Sequence, residues 1–330
     1  MTTLPVLDIS KWLQSGSTGQ QAFIDELLKT CHDPGFFYLT GHGIPAELDA
    51  GILSVTRSFF QLPDEIKTRL AIGNSPHFRG YTILGSEMTA GQHDWREQLD
   101  FGPEETALSL APGDPAWMRL RGPNQWPLVD GFRRTVEQWQ QHIEILGLTL
   151  MRVLARGLGQ SADYFDSRMT PDPYTRLKLI RYPGQPQIED RSQGLGLHHD
   201  SGLFTMILQD GTSGLEIERG GHMISVEPYA GSYVVNLGEM FQVMSNGYLR
   251  ATPHRVVSPP AGRDRISVAC FLNPRLDAIF EPVSLPDHLK LHAQEWQNAD
   301  AGDPIHTTFG DNTLKIRMRA HPDVTNRFYN

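Results

Sequence analysis

Cysteine is nearly absent: the 330 residues contain two, Cys31 and Cys270. Two thiols cannot make a disulfide framework or a zinc site of thiolates alone, and they fit a reducing compartment, most simply the cytosol. Positive charge is in deficit. Twenty-nine Lys and Arg against 38 Asp and Glu leave a formal charge of −9. With no basic run to neutralise phosphates, neither nucleic acid nor an anionic membrane is the expected partner. No apolar stretch reaches the roughly 18–20 residues of a membrane span. The opening MTTLPVLDISKWLQ carries Asp8 and Lys11 where a signal peptide needs an apolar run. Repeats and low-complexity tracts are lacking as well. A composition of 39% hydrophobic and 20% charged residues then leaves a soluble, cytoplasmic, globular protein, long enough to bury a large core without staples.

The chain changes period along its length. Apolar residues at helical spacing predict a helix over 20–31, ending before Asp33-Pro34-Gly35, and another from Pro45 to Phe60, with strand-like GFFYLTG between them. The longest helix is expected between Leu128 and Gly159, where Phe132, Val136, Trp139, Ile143, Leu146, Leu150 and Leu154 recur at three- and four-residue steps. After Pro173 come short β-rich runs at 176–182, 203–209, 214–218, 232–238 and 265–272, separated by turn clusters. Helices first and strands later predict an α+β fold built on a sandwich or barrel. Residues 72–127, rich in Gly, Pro and Trp, read as long ordered loops suited to a binding surface. The expected division is a helical and loop region, 1–127, and a long helix with the β-core, 128–330, together forming one compact unit.

Most of the 13 histidines carry no pattern. His198-His199-Asp200 is different, because residues i and i+2 of an extended segment face the same way. His198 and Asp200 then offer an imidazole and a carboxylate to one metal, His199 turns aside, and His254 in ATPHRVVSP is available as a third ligand. Two histidines and a carboxylate make the facial triad of non-haem Fe(II) oxygenases. Arg265 and Ser267 are a second i, i+2 pair, in RISVACFL. An arginine facing inward in a β-core needs an anion, and its fork with a neighbouring hydroxyl suits a carboxylate. Tyr182, ending the run 176–182, can add a donor. Arg176 shares its parity and could meet a substrate carboxylate, although a salt bridge to one of the acids is the simpler expectation.

Taken in order, the motifs resemble the isopenicillin N synthase-like group of Fe(II)- and 2-oxoglutarate-dependent oxygenases. PVLDIS, DPGFFYLTGHGIP and FFQLPDEIK are similar to the helical, non-haem dioxygenase N-terminal region of that group. FRGY and GQHDWREQLDFG are similar to its bacterial members. HHDSGLFTMILQD, VVNLGEMFQVMSNG, PHRVV and RISVACFLNP follow at family spacing, with ten residues between His254 and Arg265. The resemblance implies a double-stranded β-helix, or jelly-roll, core. It assigns Fe(II) to His198, Asp200 and His254, which thereby carry the catalysis. It assigns the distal carboxylate of 2-oxoglutarate to Arg265 and Ser267, with Tyr182 assisting. Ile180 departs from the pattern, since many plant members have Asn there.

The implied activity is oxidation of a small molecule, by hydroxylation or desaturation, with 2-oxoglutarate and O2 as co-substrates and succinate and CO2 released. Three alternatives are consistent with the same motifs: fragmentation of 2-oxoglutarate as in the bacterial ethylene-forming enzyme, an isopenicillin N synthase-like oxidase that does not consume 2-oxoglutarate, and a jelly roll that binds metal without turnover. The substrate pocket is expected among loops 74–101 and the chain's end, both read as irregular, with Tyr81, Trp95, Arg96 and Phe101 as lining candidates. Oligomeric state is not legible.

Overall fold

The structure is a computed structural model describing residues 4–14, 16–89, 91–185, 193–293 and 305–329. Its strands in chain order are β1 (Val6–Asp8), β2 (Phe36–Thr40), β3 (Gly80–Thr82), β4 (Met88–Thr89), β5 (Gln92–His93), β6 (Glu97–Phe101) and β7 (Arg176–Tyr182). Then come β8 (Gln193–His198), β9 (Phe204–Gln209), β10 (Leu215–Arg219), β11 (His222–Ser225), β12 (Tyr233–Leu237), β13 (His254–Val257) and β14 (Arg265–Leu272). An eight-stranded sheet runs β1-β2-β12-β9-β14-β7-β6-β3, and a four-stranded sheet runs β11-β10-β13-β8. Their inner faces share one apolar cluster, in which Tyr182, Ile207 and Val234 of the large sheet meet Leu215, Ile217 and Val256 of the small one. This is the expected jelly roll with helices packed on it.

Strict alternation along β7 and β14 decides which face looks where. Ile266, Val268, Cys270 and Leu272 of β14, with Leu177 and Leu179 of β7, join the large core beneath the helices. Arg265, Ser267, Ala269 and Phe271, with Arg176, Lys178, Ile180 and Tyr182, face the space between the sheets. A one-residue slip would exchange the two sets, burying two arginines and a lysine against aliphatic side chains, so burial fixes the register.

The backing helix spans Phe132–Gly157, and every residue of the predicted stripe is buried. It lies close enough to the sheet that a Cβ on Gly147 would sit 2.8 Å from Leu272 and 3.0 Å from Met206. Just past its end Gly159, with a φ of 75°, turns the chain so that the Gln160 N–H donates to the Ala155 carbonyl at 2.9 Å. Trp139 Nε1 donates to Asp49 at 2.8 Å, tying this helix to the helix Ala46–Phe60. The other predicted helix appears as Ser17–His32.

Two expectations fail. Residues 72–127 are not all loop, for β6 and β3 extend the large sheet beyond β7. All five residues of β6 (EQLDF) are buried, so polar side chains face inward on both sides and no alternation shows. They are paired instead: Glu97 binds Lys67 at 2.8 Å and Arg181 at 2.6 Å, and Asp100 binds Arg317 at 3.1 Å. The chain's end is not irregular either. It forms helices Phe309–Ala320 and Pro322–Phe328, and the first of them sends Arg317 into that polar layer.

Candidate functional site

The pairing of β13 with β8 sets His254 directly across from His198, with ring centroids 4.3 Å apart. A long sequence gap thus closes to one rung of the small sheet. Asp200 lies two residues past the end of β8, and its position owes more to hydrogen bonds than to strand parity. Its Oδ2 accepts from Thr205 Oγ1 at 2.6 Å and from Asn236 Nδ2 at 2.7 Å, both on the large sheet. The carboxylate therefore bridges the sheets. Its Oδ1 is 3.7 Å from His198 Nε2, and its Oδ2 is 3.8 Å from His254 Nε2. One ligand atom from each of the three residues lies within 4.8 Å of the others, the one such group among the described residues.

Protonation suits a cation. His198 Nδ1 is 2.9 Å from the Gly196 carbonyl and His254 Nδ1 is 3.1 Å from the Thr252 carbonyl. Each Nδ1–H is thereby occupied, and the Nε2 lone pair is left to face the cluster. Burial, and then the neighbouring His198, pushes the His254 imidazole down to about 4, which keeps it neutral. Burial alone would raise the Asp200 carboxyl, but His254 and His198 beside it hold it well below the usual carboxylate range.

The cluster opens into a cavity of about 1410 Å³ between the sheets. Arg265 is 1% exposed in its wall. Its Nη2 donates to Gln209 Oε1 at 3.0 Å, while Nε and Nη1 have no hydrogen-bond partner among the described residues. The guanidinium lies 5.2 Å from the Tyr182 ring centroid, since Tyr182 is its cross-strand neighbour, and Ser267 is two residues further along the same face. A buried cation with two unused donors and no carboxylate within ion-pair distance among the described residues is an anion site.

Other candidates separate clearly. Arg96 lines the cavity, anchored to Glu87 at 2.8 Å. Tyr81 is a core residue whose hydroxyl donates to Glu97 at 2.5 Å, Trp95 is exposed, and Phe101 stacks on Trp126. None of these three reaches the cavity. His199 stays outside the ligand group, as expected, and lines the cavity wall. Arg176 lines the cavity and forms no ion pair among the described residues. Thr205 and Asn236 lie inside the sequence motifs, but local spacing does not show that they position Asp200. Their only signal is a hydroxyl and an amide within otherwise apolar strands.

Comparison with known proteins finds matches along most of the chain. Residues 4–128 match the family model for the N-terminal region of the non-haem dioxygenase in morphine synthesis, and 173–274 match the 2OG-Fe(II) oxygenase superfamily. The chain is 33% identical to the 2-oxoglutarate-dependent dioxygenase frbJ of a Dothideomycetidae species, over 98% of this chain and 90% of that one. It is 33% identical to the homoarginine-6-hydroxylase 2-ODD-C23.1 of Arabidopsis thaliana, over 86% of this chain and 88% of that one. Among solved structures, a full-length Neurospora crassa protein in complex with alpha-KG and thymine superposes with a TM-score of 0.77 at 25% identity, covering 95% of this chain and 97% of that one.

Proposed function

The chain belongs to the Fe(II)- and 2-oxoglutarate-dependent oxygenases, and from that premise we propose that His198, Asp200 and His254 hold the iron while Arg265, Ser267 and Tyr182 hold the far carboxylate of 2-oxoglutarate. The enzyme is a 2-oxoglutarate-dependent dioxygenase acting on a small molecule. The iron, once bound with 2-oxoglutarate and O2, supplies the oxidising power for hydrogen removal from the substrate, with succinate and CO2 as products. The protein's own residues do the positioning. Two imidazoles and one carboxylate make a donor set that would suit a mid-row divalent ion. Thr205 and Asn236 fix the carboxylate's orientation, and the Nδ1–H bonds fix the imidazole rings. Arg265 anchors the oxoacid tail at a set distance from the ligand cluster and excludes water by its burial.

One observation carries the co-substrate assignment: the two unpartnered donors of the buried Arg265, on the wall that also bears Ser267 and Tyr182. Reconstitution with Fe(II) under anaerobic conditions, followed by O2 uptake and succinate measurement across a substrate library, tests it. Stoichiometric iron with 2-oxoglutarate-dependent succinate is expected. Tight iron binding without any 2-oxoglutarate binding would favour an isopenicillin N synthase-like oxidase. We rank substrate oxidation above fragmentation of 2-oxoglutarate, and ethylene in the headspace with 2-oxoglutarate, O2 and L-arginine would reverse that order.

The two halves of the chain work as one unit in this reading, supported by the pairing of β6 with β7. We place the protein in the cytosol, in keeping with two free, buried thiols, and expect no nucleic-acid or membrane partner of so acidic a chain. No helix among the described residues is long and apolar enough to cross a membrane.

A further inference from the structure

The protein is acidic overall, yet its cavity is basic. Eight Arg and Lys side chains line it against four Asp and Glu. Of the four carboxylates, Asp200 belongs to the ligand cluster, and Glu87 and Asp94 are engaged by Arg96 at 2.8 and 3.7 Å. Within this lining Arg265 and Arg176 form no ion pair among the described residues, and cations so placed call for anionic ligands.

Four cross-strand pairs make a ladder along the cavity wall: Arg265 with Tyr182, Ser267 with Ile180, Ala269 with Lys178, and Phe271 with Arg176. At one end stands Arg265. At the other, Arg176 lies with its guanidinium 5.0 Å from the Phe271 ring centroid, and its buried Nε has no hydrogen-bond partner among the described residues. Next to it, Lys178 is 3.7 Å from Asp100, whose carboxylate is claimed more closely by Arg317 at 3.1 Å and by Gln98 at 2.9 Å. Burial pushes the Lys178 ammonium down to about 8 and the Arg176 guanidinium down to about 10, as expected for cations short of counter-charge.

The ends of this ladder are distinct positions on the wall: six residues of strand separate Arg265 from Phe271, about 20 Å between backbones at roughly 3.4 Å per residue. Arg176 is nevertheless near the chemistry. Its neighbour Phe271 pairs on the other side with Thr205, the residue whose hydroxyl holds Asp200. Two strand spacings of about 4.8 Å put Arg176 about 10 Å from Thr205, within the length of a small substrate.

We propose that Arg176, with Lys178 beside it, forms a second anion subsite that takes the carboxylate of the prime substrate, an organic acid whose apolar body lies along Phe271. The inference rests on the oxygenase reading above and deepens it by naming the substrate class. The planar fork of Arg176 grips the carboxylate, Lys178 adds charge, and the rest of the molecule extends toward the ligand cluster.

The test is anaerobic titration calorimetry on the Fe(II)-loaded protein. 2-Oxoglutarate is titrated first, so failure there strikes the oxygenase reading and is seen before any probe is added. With 2-oxoglutarate bound, phenylacetate and 3-phenylpropionate are compared with their neutral primary amides. At least one acid is expected to bind at least about tenfold more tightly than its amide. Arg176→Gln should abolish that preference and leave 2-oxoglutarate binding within about twofold of the parent. The proposal is overturned if no acid outbinds its amide, if Arg176→Gln keeps the preference, or if that variant loses 2-oxoglutarate instead. Should the Gln variant not fold, Arg176→Lys takes its place: several-fold weaker acid binding with unchanged amide binding supports the subsite, and unchanged acid binding overturns it.

Discussion

Arg265→Met separates the price of a ligand-ready site from its benefit. Without an anion, the buried guanidinium leaves Nε and Nη1 unpartnered. An unsatisfied buried polar group costs about 1–3 kcal/mol. Methionine fills much of the arginine stem's volume and needs no partner. The hydrogen bond to Gln209 is lost, but Gln209 is only half-buried and can turn to water. The ligand-free variant is therefore expected to be more stable than the parent by about 1–3 kcal/mol, a rise of a few degrees in Tm for a chain of this length. 2-Oxoglutarate should act in the opposite sense. At 100 times Kd it stabilises the parent by about 2.7 kcal/mol. Losing two charge-assisted hydrogen bonds at about 1.5–3 kcal/mol each weakens binding by more than a hundredfold, which leaves the variant with at most about 0.4 kcal/mol at the same concentration. Urea unfolding of both proteins, with and without 2-oxoglutarate and Mn(II) in place of iron, reads both quantities. A ligand-free variant less stable than the parent by about 1 kcal/mol, or an undiminished stabilisation by 2-oxoglutarate, refutes the reasoning.

Asp200→Ala should lose stoichiometric iron and all succinate formation, whereas His199→Ala should keep both, as metal analysis and turnover will show; full iron in the first variant removes Asp200 from the ligand set. Glu97→Ala leaves buried Lys67 with only the exposed Asp64 carboxylate and strips Arg181 of one partner, so unfolding free energy should drop by about 3–5 kcal/mol. A loss below about 1 kcal/mol would mean that water or rearrangement satisfies those cations. The buried His321 imidazole is pushed down to about 3, by burial first and Arg317 next, with Glu87 and Asp100 opposing. An unfolded histidine titrates near 6.5, so between these values the unfolded chain takes up a proton that the native one refuses. Stability should then fall as pH falls below about 6.5, by up to about 1.4 kcal/mol per pH unit from this group. His321→Gln should flatten that slope in urea titrations, and an unchanged slope would assign it to other groups.

The sequence by itself determined the elements whose period is clean. The stripe from Phe132 to Leu154 specified the backing helix, and the alternation in RISVACFL and RLKLIRY specified two central strands with their inner faces, because burial on one side leaves a mark every second residue. The H-x-D pair, the distant His254 and the R-x-S pair were legible as chemistry, since few other arrangements make use of those residue types at those spacings. Only tertiary structure decided the rest. His254 meets His198 through the β8–β13 pairing, a contact between segments more than fifty residues apart that local spacing cannot encode. Asp200 is held by Thr205 and Asn236 from the opposite sheet, so its aim depends on how the two sheets pack. β6 was unreadable because its buried carboxylates are paired with cations from distant elements, Glu97 with Lys67 and Arg181 and Asp100 with Arg317, and pairing of that kind erases the hydrophobic period. The same holds for the cavity's charge. A chain with an excess of nine acids folds so that most of them face water, while arginines and lysines from β7, β14 and the helix Phe309–Ala320 collect around the enclosed space, and that distribution exists only once the strands are in register.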